Sequence, residues 1–90
     1  MADDAAARRR AVAAAGHRGD PTTARAGLDD SDPSVRAAAI GALERLGALA
    51  AADLERALGD VEVSVRRRAL EACGAARRRT ADAPPGAPRR

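Results

Sequence analysis

Few side chains in this sequence are of a kind that does chemistry, and their spacing limits what each can do. The one histidine, His17, lies in the stretch GHRGD, where Asp20 is the only nearby second metal-type ligand. A metal centre or a relayed general base needs several such groups at fixed spacing, so His17 reads as a loop residue. The acidic run of Asp29, Asp30 and Asp32 invites a calcium reading. Calcium, however, takes about six to eight oxygens, and the sequence around DDSD does not supply the rest. The one cysteine, Cys73, has no partner for an internal disulfide, and its only activating charges are Arg77, Arg78 and Arg79, a turn away. There is no Ser/His/Asp set, no phosphate-cradling glycine loop and no Cys/His cluster. No catalytic residue, no metal and no cofactor is expected.

What remains is guanidinium. All 16 basic residues are arginine, with triplets at Arg8–Arg10, Arg66–Arg68 and Arg77–Arg79. Arginine pairs bidentately with carboxylate and with phosphate, which leaves two partner classes, acidic protein groups and a nucleic-acid backbone. For phosphate, the candidates are Arg66, Arg67, Arg68, Arg77, Arg78 and Arg79. A net charge of +3 is slight for that role, and the absence of aromatic residues removes the stacking on which single-strand binding depends. Alanine, glycine and proline are raised together with arginine, as GC-rich coding would raise them, so composition alone does not favour selection for guanidinium chemistry.

The elements that hold these groups follow from helix signals. A first helix is expected over about 4–15, capped by Asp3 or Asp4 and stopped by Gly16. A second begins after Asp20 with Pro21 in its first turn and ends near Leu28. Asp32 caps a third from Pro33 to about Leu46, with Gly47 as its stop. A fourth spans about 49–58 and a fifth runs from Val63 or Ser64 to Arg78. On the third, Val35, Ala39, Ala42, Leu43 and Leu46 form one stripe; on the fifth, Val65, Ala69, Ala72, Cys73 and Ala76 repeat it. That places Cys73 in the core as an inert thiol.

The match is wider than the stripe. LDDSDPSVRAAAIGALERL and LGDVEVSVRRRALEACGAA overlay at an offset of 30, sharing Leu28/Leu58, Asp30/Asp60, Ser34/Ser64, Val35/Val65, Arg36/Arg66, Ala39/Ala69 and Ala42/Ala72. Fainter copies of Ala39, Ile40 and Ala42 appear at an offset of 28 as Ala11, Val12 and Ala14, with Arg8 at the place of Arg36. Long and short helices alternating with a period near thirty residues mean a stacked solenoid.

The motif L-x-D-x-D/E-x-x-V-R-x-x-A, followed by a small-residue helix, resembles the HEAT-like repeat of phycobilin lyase-related proteins, a short bacterial version of the HEAT and armadillo solenoids. The resemblance covers 20–79 as two full repeats and 5–15 as a half repeat. It implies an all-α fold, a short α-solenoid of about two and a half helical-hairpin repeats. It also implies a ladder between neighbouring repeats made by the acidic-turn Asp and the Val-Arg Arg, here Asp30, Arg36, Asp60 and Arg66. A physical reason stands beside it. Equivalent helices lie about 8–10 Å apart, so an Arg repeated at one position meets its like unless a carboxylate intervenes. Pro33 is replaced by Val63 in the second copy, which predicts a looser turn or a helix starting one residue later. Bilin lyase chemistry finds no chromophore contact in a chain without aromatics, and the His-Glu pairs of deoxyhypusine hydroxylase, an iron enzyme of similar repeats, are missing because Arg18 follows His17.

The expected organisation is a repeat domain over 1–79, comprising a half repeat at 4–15 and repeats at 20–47 and 49–79, with a disordered Pro/Arg tail over 80–90. Leu, Ile and Val number only 13, so the core is alanine-rich. Marginal stability follows, or completion by a partner, a second copy or further repeats. No apolar run approaches membrane-spanning length and no signal core opens the chain, so the expected setting is the cytoplasm and no membrane. The expected role is that of a non-catalytic protein-interaction scaffold, with nucleic-acid-backbone binding as the alternative.

Overall fold

The computed structural model describes the backbone of residues 4–81 and the side chains of residues 4–78. Among the described residues five α-helices follow one another: α1 (Ala5–Arg18), α2 (Pro21–Ala26), α3 (Pro33–Leu46), α4 (Ala51–Leu58) and α5 (Val63–Ala81). A 3-10 turn, Gly27–Asp29, extends α2 toward the acidic turn. No strand occurs among the described residues, and the fold is a short all-α solenoid. No described helix is long and apolar enough to cross a membrane.

Local signals account for most helix ends. Asp4 accepts the Ala7 N–H at 3.0 Å, Asp20 accepts Thr23 N–H at 3.2 Å, and Asp32 accepts Ser34 N–H at 2.8 Å, each meeting a donor that the first turn leaves unpaired. Pro21 and Pro33 open their helices where no N–H is required. Helix α4 has no capping side chain in front of it; instead the Asp53 carboxylate reaches back to accept the Ala50 N–H at 2.9 Å.

One helix end departs from expectation. Gly16 does not stop α1, which continues to Arg18 and closes on Gly19 at φ +79°. Gly16 is buried against α3, where a Cβ would come within 2.9 Å of the Ala42 Cα. It is a close-approach residue: the two backbones pack nearer than any side chain would allow, which lets an alanine-rich interface stay dense. Other boundaries shift less. Helix α5 begins at Val63, in register with Pro33, so losing the proline neither delays the helix nor loosens the turn: the Glu62 N–H donates to Asp60 Oδ1 at 2.9 Å, as Asp32 N–H does to Asp30 Oδ1. At its other end α5 takes in Thr80 and Ala81, the first two residues of the expected tail. The remainder of that tail, 82–90, lies outside the described residues.

Helix α3 is the centre of the stack, with α1 on one side and α5 on the other, while α2 and α4 pack behind. Its Val35, Ala39, Ile40, Ala42 and Leu43 are all buried, and Ile40, Leu43, Val35 and Val65 are the largest fully buried side chains. Ala39 and Ala42 lie toward the α1 side, near Gly27 and Gly16 respectively. Ile40 meets Ala57 and Val65 around a small gap on the other side. Among the described side chains of α5, only the inward set, Val65, Ala69 and Ala72, is buried. Cys73 is half-exposed rather than core, and Leu70, at the place of Ile40, is 61% exposed. The stripe rule was sound for the inner face, but α5 has no described neighbour on the other. Helix α1 shows the same end effect: Ala11 and Ala14 are exposed, and it buries Val12, Ala15 and Gly16.

Candidate inter-repeat ladder and its open end

The acidic turns and the arginines that follow them meet in a repeating arrangement. Arg36 donates from Nε to Asp60 Oδ2 at 2.9 Å and from Nη2 to Asp60 Oδ1 at 3.0 Å. Its Nη1 turns back to the carbonyls of Asp30 at 2.9 Å and Ser31 at 3.1 Å. One guanidinium thus grips the turn before its own helix and the turn before the next. Arg8 does the forward half of this to Asp30, Nε to Oδ2 at 2.8 Å and Nη2 to Oδ1 at 3.1 Å. Arg66 does the backward half, Nη1 to the Asp60 carbonyl at 2.7 Å. The planar fork of arginine suits the forward grip, since both parallel N–H bonds are charge-assisted.

Each carboxylate in the ladder also accepts a backbone N–H from its own turn, so it holds the turn closed while it binds the neighbouring helix. The arginine bond is the main reason that Asp30 and Asp60 titrate below the ordinary carboxylate range, with the turn N–H adding to it. Asp20, bonded by the Thr23 hydroxyl and N–H and by Arg18, is lowered to about 2. Asp32 and Asp53 are lowered as well, by Ser34 and by Arg25 respectively.

These shifts fix a pH dependence. A carboxyl group with a lower value in the folded chain favours folding fully above its unfolded value, about 3.9 for Asp. That contribution is lost as pH falls through the folded value. Helical circular dichroism and melting temperature are therefore expected to be flat from neutral pH down to about 5 and to fall steeply between about 4 and 2. A melting temperature unchanged at pH 2.5, roughly the region where paired carboxylates protonate, would contradict the ladder's role.

Other inter-repeat links were not legible in the sequence. Arg25 of α2 donates to Asp53 of α4 at 2.9 Å and to the Ala48 carbonyl at 2.9 Å, a second tie behind the main one. Arg56 pairs with Asp29, and Arg68 donates to Glu44 at 2.8 Å. Partners 24 to 28 residues apart, close to one repeat, were the available signal, but many acid–arginine pairs in this sequence share that spacing.

The candidate phosphate-binding set is dispersed by these bonds. Arg66 and Arg68 are engaged within the molecule, Arg67, Arg77 and Arg78 are exposed, and the Arg79 side chain lies outside the described residues. His17 is exposed on the last turn of α1. An open groove of about 420 Å³ runs between the two acidic turns, lined by Leu28, Asp29, Arg36, Arg56, Asp60 and Val61. Its charged groups bond one another across the groove. No group of three or more His, Cys, Asp or Glu side chains converges among the described residues.

A family model described as HEAT repeats matches residues 2–74. No curated protein and no solved structure matches the chain.

Proposed function

The chain belongs to the HEAT repeat family, and from that premise we propose that it is a non-catalytic module that binds another protein. Repeats of this family generally mediate protein interactions. The observation that carries the reading is where apolar surface is left over. Only 13 large aliphatic side chains are present, yet Leu58, Val61, Val63 and Leu70 are exposed, and all of them lie in the last repeat. Exposed aliphatics gathered in one region and edged by charge mark an interaction surface.

The polar groups support the same reading. Asp29, Asp30, Asp53 and Asp60 bond arginines of a neighbouring repeat, which is structural work. The experiment is capture from the native host on the immobilised chain, after nuclease treatment and at increasing salt. A discrete protein retained in stoichiometric amount is the expected result. Retention of nucleic acid alone, released steeply as salt rises, would replace this reading with backbone binding through the exposed arginines.

A further inference from the structure

We propose that the outer face of α5 docks a helical segment of another protein whose leading turn offers a carboxylate to Arg66. The inference rests on the protein-binding role above and identifies where on the chain it resides. Three observations lead to it. The first is the continuity of the ladder. Arg8 and Arg36 each spend Nε and Nη2 on the aspartate of the following repeat. Arg66 is already oriented by its bond to the Asp60 carbonyl, as Arg36 is by the Asp30 carbonyl. Its Nε and Nη2 have no partner among the described residues. The residue 24 positions beyond Arg66, the spacing of the Arg36–Asp60 pair, is Arg90, whose side chain carries no carboxylate.

The second is the apolar surface beside it. Val63, Arg66, Leu70 and Cys73 share one side of α5 by the helical period, and Leu70 and Val63 are 61% and 53% exposed. Their counterparts on α3 include Ile40 and Leu43, which are buried in the stack. The face is thus a copy of one that this fold covers with a helix and an aspartate.

The third is charge, which selects the occupant. Arg67, Arg77 and Arg78 are exposed on the same helix, so an acidic partner is favoured. A second copy stacked head to tail is disfavoured. It would present the α1 end, where Arg10 and His17 are exposed and the counterpart of Asp30, 28 residues earlier, is Ala2.

The probe is a fluorescently labelled synthetic peptide of residues 49–78, the unit that the α3 face accepts, titrated with the full chain. Saturable binding is expected. An Asp60→Asn peptide and an Arg66→Ala chain should each weaken it about tenfold or more, as loss of a charge-assisted pair predicts. The two changes together should cost little beyond either alone, since they remove one contact. Leu70→Asp, at an exposed position, should weaken binding with helical circular dichroism unchanged. Equal binding by the Arg66→Ala chain would overturn the proposal, because the peptide would then have exchanged with the chain's own second repeat. Absence of saturable binding, a dimer dissolved by Leu70→Asp, or tighter binding of a short DNA duplex lost on Arg66→Ala would each overturn it too. If native, Arg66→Ala and Leu70→Asp chains all capture the same host protein, the interaction role stands and this face is not its seat.

Discussion

Replacing Arg36 with alanine should lower the melting temperature by roughly 10–20 °C, while the same change at Arg66 should lower it by less than about 5 °C. The two arginines occupy one motif position, so the difference measures the ladder rather than the residue. Arg36 loses two bonds to the Asp60 carboxylate and two to backbone carbonyls. Its side chain is 16% exposed and that of Asp60 14%, so water replaces those bonds poorly. Breaking such a half-buried pair costs about 3 kcal/mol, between the value of one charged hydrogen bond and that of a fully buried pair. A domain of this size has on the order of 4–10 kcal/mol to lose. Arg66 has only its bond to the Asp60 carbonyl among those described. Arg36→Lys should recover about half of the loss at most, because an ammonium offers no planar fork. Thermal melts followed at 222 nm read all three chains, and an Arg36→Ala chain melting within a few degrees of the native one would show that aliphatic packing alone holds the stack.

A second pair of substitutions tests the core in the same way. Ile40→Ala is expected to cost about 3 kcal/mol, within the range for a large aliphatic side chain truncated in a packed interior. Leu70→Ala should change stability by less than about 0.5 kcal/mol, as exposed substitutions do. Ile40 is 1% exposed and Leu70 61%, although the two align at an offset of 30. The alanine at 70 also favours the helix slightly. Equilibrium urea unfolding gives both values. Similar losses at the two positions would mean that α5 is covered in solution by something packed as closely as α5 packs on α3.

The same contrast separates what was legible in the sequence from what was not. Helix starts at Pro21 and Pro33, the stop at Gly47, and the inward stripe of Val35, Ala39 and Ala42 with its copy in Val65, Ala69 and Ala72 are local facts. Each depends on capping, on backbone angle or on the helical period, and those act within a few residues of chain. The repeat itself is legible for a related reason, since equal units stacked on one another must present equal faces. Gly16 escaped the reading. A glycine is both a stop and a point of close approach, and only the position of Ala42 across the interface decides between them.

Arg25 with Asp53 and Arg68 with Glu44 escaped as well, because in a sequence dense with arginine and acid, spacing permits many pairings and the lateral offset of the helices selects a few. Sequence alone therefore determined the helices and their period. Tertiary structure decided which copy of each motif is buried. Residue type repeats along the chain, whereas burial requires a neighbour on both sides. Among the long helices, only α3 has one described on each side.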